Sequence, residues 1–118
     1  MKSNNSRINR GSVWVVDLDP TVGHEQAKKR PCIVISTETF NNGKSQLAVV
    51  IPCTSQFKAL SWLVEVNPPE GGLTRKSYVI SNQIRTVSID RFSGTCLGHI
   101  AANTMTKIEQ RLRILLHL

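Results

Sequence analysis

Short apolar runs that end at proline, glycine or polar turns are the feature that most limits how this chain can fold. The runs are rich in β-branched and aromatic residues, and each has the length of a β-strand rather than of a helix. They lie at 13–18, 32–35, 47–51, 62–66, 78–81, 84–89 and 95–101. Many short strands with regular turn signals indicate a β-barrel or a β-sandwich.

The C-terminal segment has a different period. Met105, Ile108, Leu112 and Leu115 recur at spacings that place them on one helical face. Thr106 and Glu109 have the form of a capping box, so we expect a helix over about 104–117. Its apolar stripe is expected to cover the sheet rather than to bind a partner. The predicted fold class is mainly β with a C-terminal α-helix.

The size of the chain allows one domain, because 118 residues and 13.1 kDa leave no room for two independent cores. We therefore expect a single domain over 1–118, with residues 1–9 flexible. No apolar run approaches the ~20 residues that span a bilayer. The polar start, MKSNNSRINR, is unlike a secretory signal. These observations predict a cytoplasmic protein without a membrane partner.

The charge balance is strongly basic. Fifteen lysine and arginine residues oppose 8 acidic residues, which gives a net charge of +7. A small domain with this excess attracts polyanions, and nucleic acid is the most common polyanion. The alternative is a basic surface that has no specific partner.

The cysteines Cys32, Cys53 and Cys96 are widely separated, and the histidines are scattered. Cys32 and Cys53 lie in apolar runs, so we interpret them as buried free thiols in a reducing compartment. No cluster has the spacing of a zinc site, and neither a metal nor another cofactor is predicted. A catalytic cysteine remains open, although nothing near these thiols in the sequence indicates a lowered pKa.

Two polar segments interrupt the apolar pattern. Residues 19–31 form a long charged segment that contains the run Lys28-Lys29-Arg30, and residues 52–60 follow the third apolar run. Long loops on a rigid β scaffold often carry function. These two segments are therefore expected to contain candidate site residues.

Several motifs appear in one order along the chain and carry a resemblance. They are RGSVWVVDLDP at 10–20, GHEQ at 23–26, KRP at 29–31, CIVIS at 32–36, IPCTSQ at 51–56 and SNQIRTV at 81–87. Together they resemble the MazF/PemK family, the toxin halves of bacterial toxin–antitoxin pairs. The resemblance implies an SH3-like β-barrel, the fold that CcdB-like toxins share, working as a homodimer. It also implies metal-independent, sequence-selective cleavage of single-stranded RNA and inhibition by a cognate antitoxin.

The same resemblance implies catalytic roles for Arg30, Thr54 and His24. Arg30 matches the arginine before the proline of KRP, and a guanidinium suits the charge that develops on a phosphodiester in its transition state. Thr54 matches the threonine of the CTSQ block, whose hydroxyl donates to a phosphate oxygen. His24 lies in the PemK-like GHEQ and is able to move a proton near neutral pH. Without the motifs, Arg30 would be interpreted as a solvated charge, Thr54 as a turn-forming residue and His24 as a histidine of a surface loop.

A second set is predicted to contact RNA. It comprises Glu25, Gln26, Lys28, Lys29, Ser55, Gln56, Phe57, Lys58, Asn82, Gln83 and Arg85. Strand alternation would put Gln83 and Arg85 on one face, to meet a base and a phosphate. Glu25 and Gln26 have the alternative of ordering their own loop. Phe57 is the stacking candidate, whereas Trp14 and Trp62 fit the core or a dimer interface better. Many family members have an acidic residue where this chain has Asn82, which puts an acid–base role there in doubt.

Two other functions stay open at this point. One is a non-enzymatic, gyrase-binding toxin of the CcdB type, because fold does not fix function. The other is an RNA-binding module that does not cleave. The KRP and CTSQ motifs favour the endoribonuclease, because they match the RNA-cleaving branch.

Overall fold

The structure, a computed structural model, describes residues 7–57 and 62–118 and is mainly β. The elements in order are β1 (Ser12–Asp17), β2 (Lys29–Val34), α1 (Glu38–Asn41), β3 (Leu47–Thr54), β4 (Leu63–Val66), β5 (Ser77–Ile80), β6 (Arg85–Ser88), β7 (Phe92–His99) and α2 (Ala102–Leu116). Short 3₁₀ turns lie at Glu70–Gly72, Ser81–Gln83 and Ile89–Arg91. The predicted fold class, strands followed by a C-terminal helix, is confirmed. The single turn of α1 was not predicted.

The strands form one antiparallel sheet in the order β4-β5-β3-β2-β1-β7, and β6 also pairs with β3. One edge of β3 pairs with β2. Along its other edge, β3 pairs first with β6 and then with β5. Between the pairs Val50↔Arg85 and Cys53↔Val79, β3 advances three residues while its partner spans six. The turn at Ser81–Gln83 takes up the difference, and it separates β5 from β6.

Two strands extend further than the sequence indicated. β2 begins at Lys29, because Lys29, Arg30 and Pro31 pair with β1 opposite Asp17, Val16 and Val15. β3 continues through Pro52 to Thr54, where it pairs with Tyr78 of β5. The predicted loops 19–31 and 52–60 are therefore shorter at one end. Pairing with neighbouring strands overrides the turn propensity of these residues. Arg30 and Thr54 therefore lie on strands instead of loops.

The core has a cluster of buried side chains on each side of the sheet. Trp14 belongs to one cluster and meets Phe92 edge to face, with ring centroids 5.6 Å apart. Ile33, Ile51 and other aliphatic residues form the second cluster, beneath α2. The core position expected for Trp14 is confirmed. Trp62 is 36% exposed and lies outside both clusters.

The start of the chain contributes to packing. Ile8 is buried in the first cluster, and Arg7 forms an ion pair with Glu38 at 2.8 Å. Of residues 1–9, for which we expect flexibility, residues 1–6 lie outside the described residues.

Helix α2 starts earlier than the sequence indicated, at Ala102, and the predicted capping box is wrong. Thr106 lies inside the helix, where its hydroxyl donates to the carbonyl of Ala102 at 3.1 Å. The carboxylate of Glu70 supplies the cap instead. Glu70 Oε2 accepts from the N–H of Ala101 at 2.8 Å and from the hydroxyl of Thr104 at 2.6 Å. A cap from another segment leaves no local sequence signal, which explains the error.

The apolar stripe of α2 packs on the sheet as expected over most of its length. Ile108 is fully buried, and Met105 and Leu112 pack against the same cluster. Leu115, the last member of the stripe, remains 48% exposed. Within 7–57 and 62–118 no helix is long and apolar enough to cross a membrane.

The sheet path ends at β4 and β7, and within the described ranges these two strands do not pair with each other. The turn after β4 packs against β7 instead. A Cβ placed on Gly72, whose φ is +70°, would lie 1.9 Å from the carbonyl oxygen of Leu97. Only glycine permits this approach of two backbones. The contact joins the two ends of the sheet where a closed barrel would have strand pairing.

We expect Gly72→Ala to destabilise the fold markedly, because it combines a positive φ with a steric clash. The matched control is Gly94→Ala in β7, where φ is +68° and no atom lies within 4 Å of the added Cβ. The control should lose about 1–2 kcal/mol from the backbone conformation alone. Gly72→Ala should lose about 2 kcal/mol more, because the backbones must separate. Urea unfolding of both variants measures the difference, and equal losses would show that the contact does not support the fold.

Candidate functional site

Arg30 is held in place on β2 by two backbone carbonyls. Its Nε donates to the carbonyl of Ala27 at 2.9 Å, and Nη1 donates to the carbonyl of Cys53 at 3.4 Å. Nη2 makes no hydrogen bond to any described residue. The guanidinium is therefore oriented by the fold and retains donors for an external acceptor.

Thr54 lies at the end of β3, next to the carbonyl that Arg30 binds. Its Oγ1 accepts from the N–H of Gln56 at 3.2 Å, which stabilises the turn after the strand. Since the hydroxyl accepts in this bond, its proton remains available to a ligand. Thr54 thus shapes the turn and also presents a donor. Ser55 and Gln56 are exposed in that turn.

Arg30 and Thr54 line one cavity of about 290 Å³, which we call the basic pocket. Its wall includes three cations and several hydroxyl groups, and no acidic side chain of the described residues lines it. The polar residues that line it include Lys29, Arg30, Thr54, Ser55, Thr74 and Arg75. Sequence reasoning missed Thr74 and Arg75, which lie between β4 and β5. The basic run TRK at 74–76 was the available signal.

A second cavity of about 190 Å³, the polar pocket, lies where β5 and β6 diverge from β3. The predicted contact residues that line it are Glu25, Gln26, Asn82, Gln83 and Arg85. The predicted alternation of Gln83 and Arg85 on one strand is wrong, because Gln83 lies in the 3₁₀ turn and Arg85 begins β6. The turn nevertheless brings both residues to the same cavity.

Gln83 binds the backbone of the 19–28 loop, and Arg85 binds the backbone of Leu18, directly before that loop. Gln83 Oε1 accepts from the N–H of Gln26, and its Nε2 donates to the carbonyl of His24, both at 3.4 Å. Arg85 Nη1 donates to the carbonyl of Leu18 at 3.0 Å. In this structure these two side chains therefore position the loop beside the polar pocket.

The 19–28 loop also binds itself. Glu25 Oε1 accepts from the N–H of Val22 at 2.6 Å, and Asp19 Oδ1 accepts from the N–H of Lys28 at 3.1 Å. Glu25 therefore orders its own loop, as one of the two alternatives proposed. The side chain of His24 is exposed and lines neither pocket.

The remaining predicted contact residues are the lysines and Phe57. Lys28 and Lys29 are exposed at the start of β2. Phe57 is 68% exposed, and its ring meets Tyr78 edge to face at 5.4 Å between centroids. The exposed part of the Phe57 ring is therefore available for stacking close to Thr54. Lys58 lies outside the described residues.

The thiols Cys32 and Cys53 are buried, as predicted, and belong to opposite core clusters. Burial raises the pKa of the Cys32 thiol, and it raises the pKa of Cys53 to about 12 although Arg30 acts in the opposite direction. Both thiols are therefore protonated near neutral pH, which disfavours the alternative of a catalytic cysteine. In the part of the chain that the structure describes, no three His, Cys, Asp or Glu side chains are grouped to hold a metal ion.

We expect Cys32 and Cys53 to resist alkylation in the folded protein at pH 8, because a thiol with a pKa near 12 has almost no thiolate there. Half-buried Cys96 should react first. Mass spectrometry after iodoacetamide treatment locates the label, and the same treatment in denaturant should label all three cysteines. Rapid labelling of Cys53 in the folded protein would contradict this assignment.

The chain is similar to known proteins over most of its length. Residues 9–116 match the model of a family described as PemK-like, MazF-like toxins of type II toxin–antitoxin systems. The chain is 34% identical over 113 residues to "Endoribonuclease EndoA" of Bacillus subtilis, covering 94% of this chain and 96% of that protein. It is 32% identical over 113 residues to "Endoribonuclease PemK" of Escherichia coli, covering 94% and 84%.

Solved structures agree with the sequence comparisons. A crystal structure of MazF from Deinococcus radiodurans superposes with a TM-score of 0.84 at 23% identity, covering 94% of this chain and 97% of that one, and so supports the fold. An endoribonuclease from a mycobacterial species, solved in complex with its cognate antitoxin, superposes with a TM-score of 0.73. That protein is 26% identical, and the match covers 94% and 96% of the two chains.

Proposed function

The chain belongs to the family of PemK-like, MazF-like toxins of type II toxin–antitoxin systems, and from this premise we propose how it acts. It is an endoribonuclease that cleaves single-stranded RNA at the basic pocket, sequence-selectively and without a metal. Relatives named as endoribonucleases support the activity. The observation that carries the location is the meeting of Arg30 and Thr54, from two strands, in one cavity that no described acidic group lines.

Arg30 is the proposed catalytic cation. Charge builds up on the non-bridging oxygens of a phosphodiester as its phosphorus becomes five-coordinate. A guanidinium already oriented by two carbonyls meets that charge with little reorganisation, which is the main requirement for transition-state stabilisation. Pairing of Arg30 with β1 fixes its backbone as well.

Thr54 is the proposed second donor to the same phosphate. Its hydroxyl is too weakly acidic to serve alone as a general base near neutral pH. Its free proton instead hydrogen-bonds a phosphate oxygen, while the bond it accepts from Gln56 holds the side chain in place. Electrostatic stabilisation by Arg30 and Thr54 is thus the core of the mechanism.

The RNA supplies its own nucleophile. The 2′-oxygen forms a bond to the adjacent phosphorus as the bond from phosphorus to the 5′-oxygen breaks. The 2′-hydroxyl loses its proton and the leaving 5′-oxygen gains one, so the products are a 2′,3′-cyclic phosphate and a 5′-hydroxyl. His24 is the proposed proton-transfer residue on the resemblance alone, because Asn82 cannot exchange a proton as a carboxylate does. Its exposed side chain lies outside both pockets.

The polar pocket is the proposed place of base recognition. Its volume of about 190 Å³ suits a flat nucleobase, and Asn82, Gln83 and Gln26 offer amide donors and acceptors. Glu25 and Arg85 extend this polar wall. Beside Thr54, the RNA strand is positioned by Ser55, Gln56 and Phe57. Its phosphates are attracted by Lys28, Lys29 and Lys58.

Partners follow from the family. We propose that the protein acts as a homodimer in the cytoplasm and that a cognate antitoxin inhibits it by covering the surface that binds RNA. A similar endoribonuclease was solved with its antitoxin, which supports this assignment. Cleavage of mRNA then inhibits translation and growth.

Removing either donor of the basic pocket should abolish most cleavage without unfolding the protein. Arg30→Ala and Thr54→Val are each expected to lower the cleavage rate at least about 100-fold, the usual effect of deleting one transition-state donor. Thr54→Ser keeps the hydroxyl and should retain most activity. Lys44→Ala, in an exposed turn that lines neither pocket, controls for loss of one positive charge.

Cleavage rates are measured on one RNA substrate with a mapped cut site, and circular dichroism shows whether each variant is folded. Wild-type rates in folded Arg30→Ala and Thr54→Val would remove the basic pocket from the mechanism. Binding of RNA by the wild-type protein without any cleavage would favour the RNA-binding module instead.

A further inference from the structure

We propose that Arg75 binds a phosphate adjacent to the one that is cleaved, and that it strengthens RNA binding without selecting sequence. The inference rests on the proposed function, because it assigns a second RNA contact to the basic pocket. Arg75 lies between the 3₁₀ turn at 70–72 and β5, and it lines the cavity that contains Arg30 and Thr54.

The surroundings of Arg75 leave its charge available. The side chain is exposed, and its guanidinium forms no hydrogen bond or ion pair with any described residue. The next residue, Lys76, forms an ion pair with Glu65 at 3.5 Å and does not line the cavity. Two neighbouring cations of one segment therefore differ in surroundings: only Arg75 reaches the basic pocket, while Lys76 is engaged by a carboxylate.

The charge of the basic pocket exceeds what one phosphodiester needs. Lys29, Arg30 and Arg75 line it, and no described acidic side chain offsets them. A single phosphodiester carries one negative charge, so three cations around one cavity fit a ligand with more than one phosphate. Successive phosphates of a nucleic acid strand are such a ligand. The hydroxyls of Ser55 and Thr74 add neutral donors to the same wall.

The two arginines differ in how firmly they are held. Arg30 is oriented by the carbonyls of Ala27 and Cys53, which suits a group that must match one transition-state geometry. Arg75 has no such restraint, so it is able to follow a phosphate whose position varies with the bound sequence. Arg75 should therefore contribute to affinity and leave the chemical step and the cut positions unchanged.

Salt-dependent binding tests this assignment directly. The probe is a short, mixed-sequence single-stranded DNA, which has the phosphates but lacks the 2′-hydroxyl needed for cleavage. Its Kd is measured at several salt concentrations for wild type, Arg75→Ala, Arg75→Lys and Lys76→Ala. Each phosphate contact to a single strand contributes about 0.7 to the slope of log K against log salt.

Arg75→Ala should weaken binding and lower that slope by about 0.7, whereas Arg75→Lys should retain most of it. Lys76→Ala removes the same charge one residue away and should change the slope much less. Equal effects of Arg75→Ala and Lys76→Ala would overturn the inference, because Arg75 would then act only through net charge.

Cleavage by the same variants separates this inference from the proposed function. With a cleavable RNA, Arg75→Ala should raise KM several-fold and leave kcat and the cut positions unchanged. A comparable fall in kcat with KM unchanged would contradict the assignment. If wild-type protein fails to cleave RNA while the Arg75-dependent slope persists on DNA, the proposed function fails but the phosphate contact stands.

Discussion

Strand β3 lines both pockets, and it shares one of its edges between two partners. β6 pairs with its first half and β5 with its last two residues, and the three-residue turn at Ser81–Gln83 bridges the interval at Ile51–Pro52. Proline has no N–H, so β3 offers one backbone donor fewer where its partner leaves the ladder. The polar pocket opens at this interruption, and Thr54 lies two residues beyond it.

Pairing on the opposite edge of β3 sets the position of Arg30. β2 aligns with β3 so that the guanidinium of Arg30 reaches the carbonyl of Cys53, and Cys53 precedes Thr54. The guanidinium of Arg30 is thus held by one carbonyl of β3 and, at a shorter distance, by the carbonyl of Ala27 in the 19–28 loop. The position of the 19–28 loop depends on contacts between segments that are distant in sequence, since the side chains of Gln83 and Arg85 bind the backbone at this loop. The position of Arg30 therefore depends on both the sheet and the 19–28 loop.

The periodicity of the sequence was enough to predict the strands, the C-terminal helix and the buried thiols, because these depend on local apolar patterns. It was not enough to place Arg30 and Thr54 on strands, since pairing with β1 and β5 overrides the turn-forming character of KKRP and PCTS. The cap that Glu70 provides for α2 and the passage of Gly72 beside Leu97 are contacts between distant segments. Arg75 was missed for the same reason: nothing in the TRK run shows that it faces the pocket of Arg30. The family motifs identified the candidate residues, whereas their grouping into two cavities required the fold.

Cleavage through the 2′-hydroxyl of the RNA is tested most directly by the chemistry of the ends that the protein leaves on its fragments. Long RNAs of two unrelated mixed sequences are incubated with the protein in EDTA, and the fragment ends are mapped and identified. We expect discrete cuts at one shared short sequence, each with a 2′,3′-cyclic phosphate and a 5′-hydroxyl. Fragments with 3′-hydroxyl and 5′-phosphate ends, or intact RNA in both reactions, would contradict it.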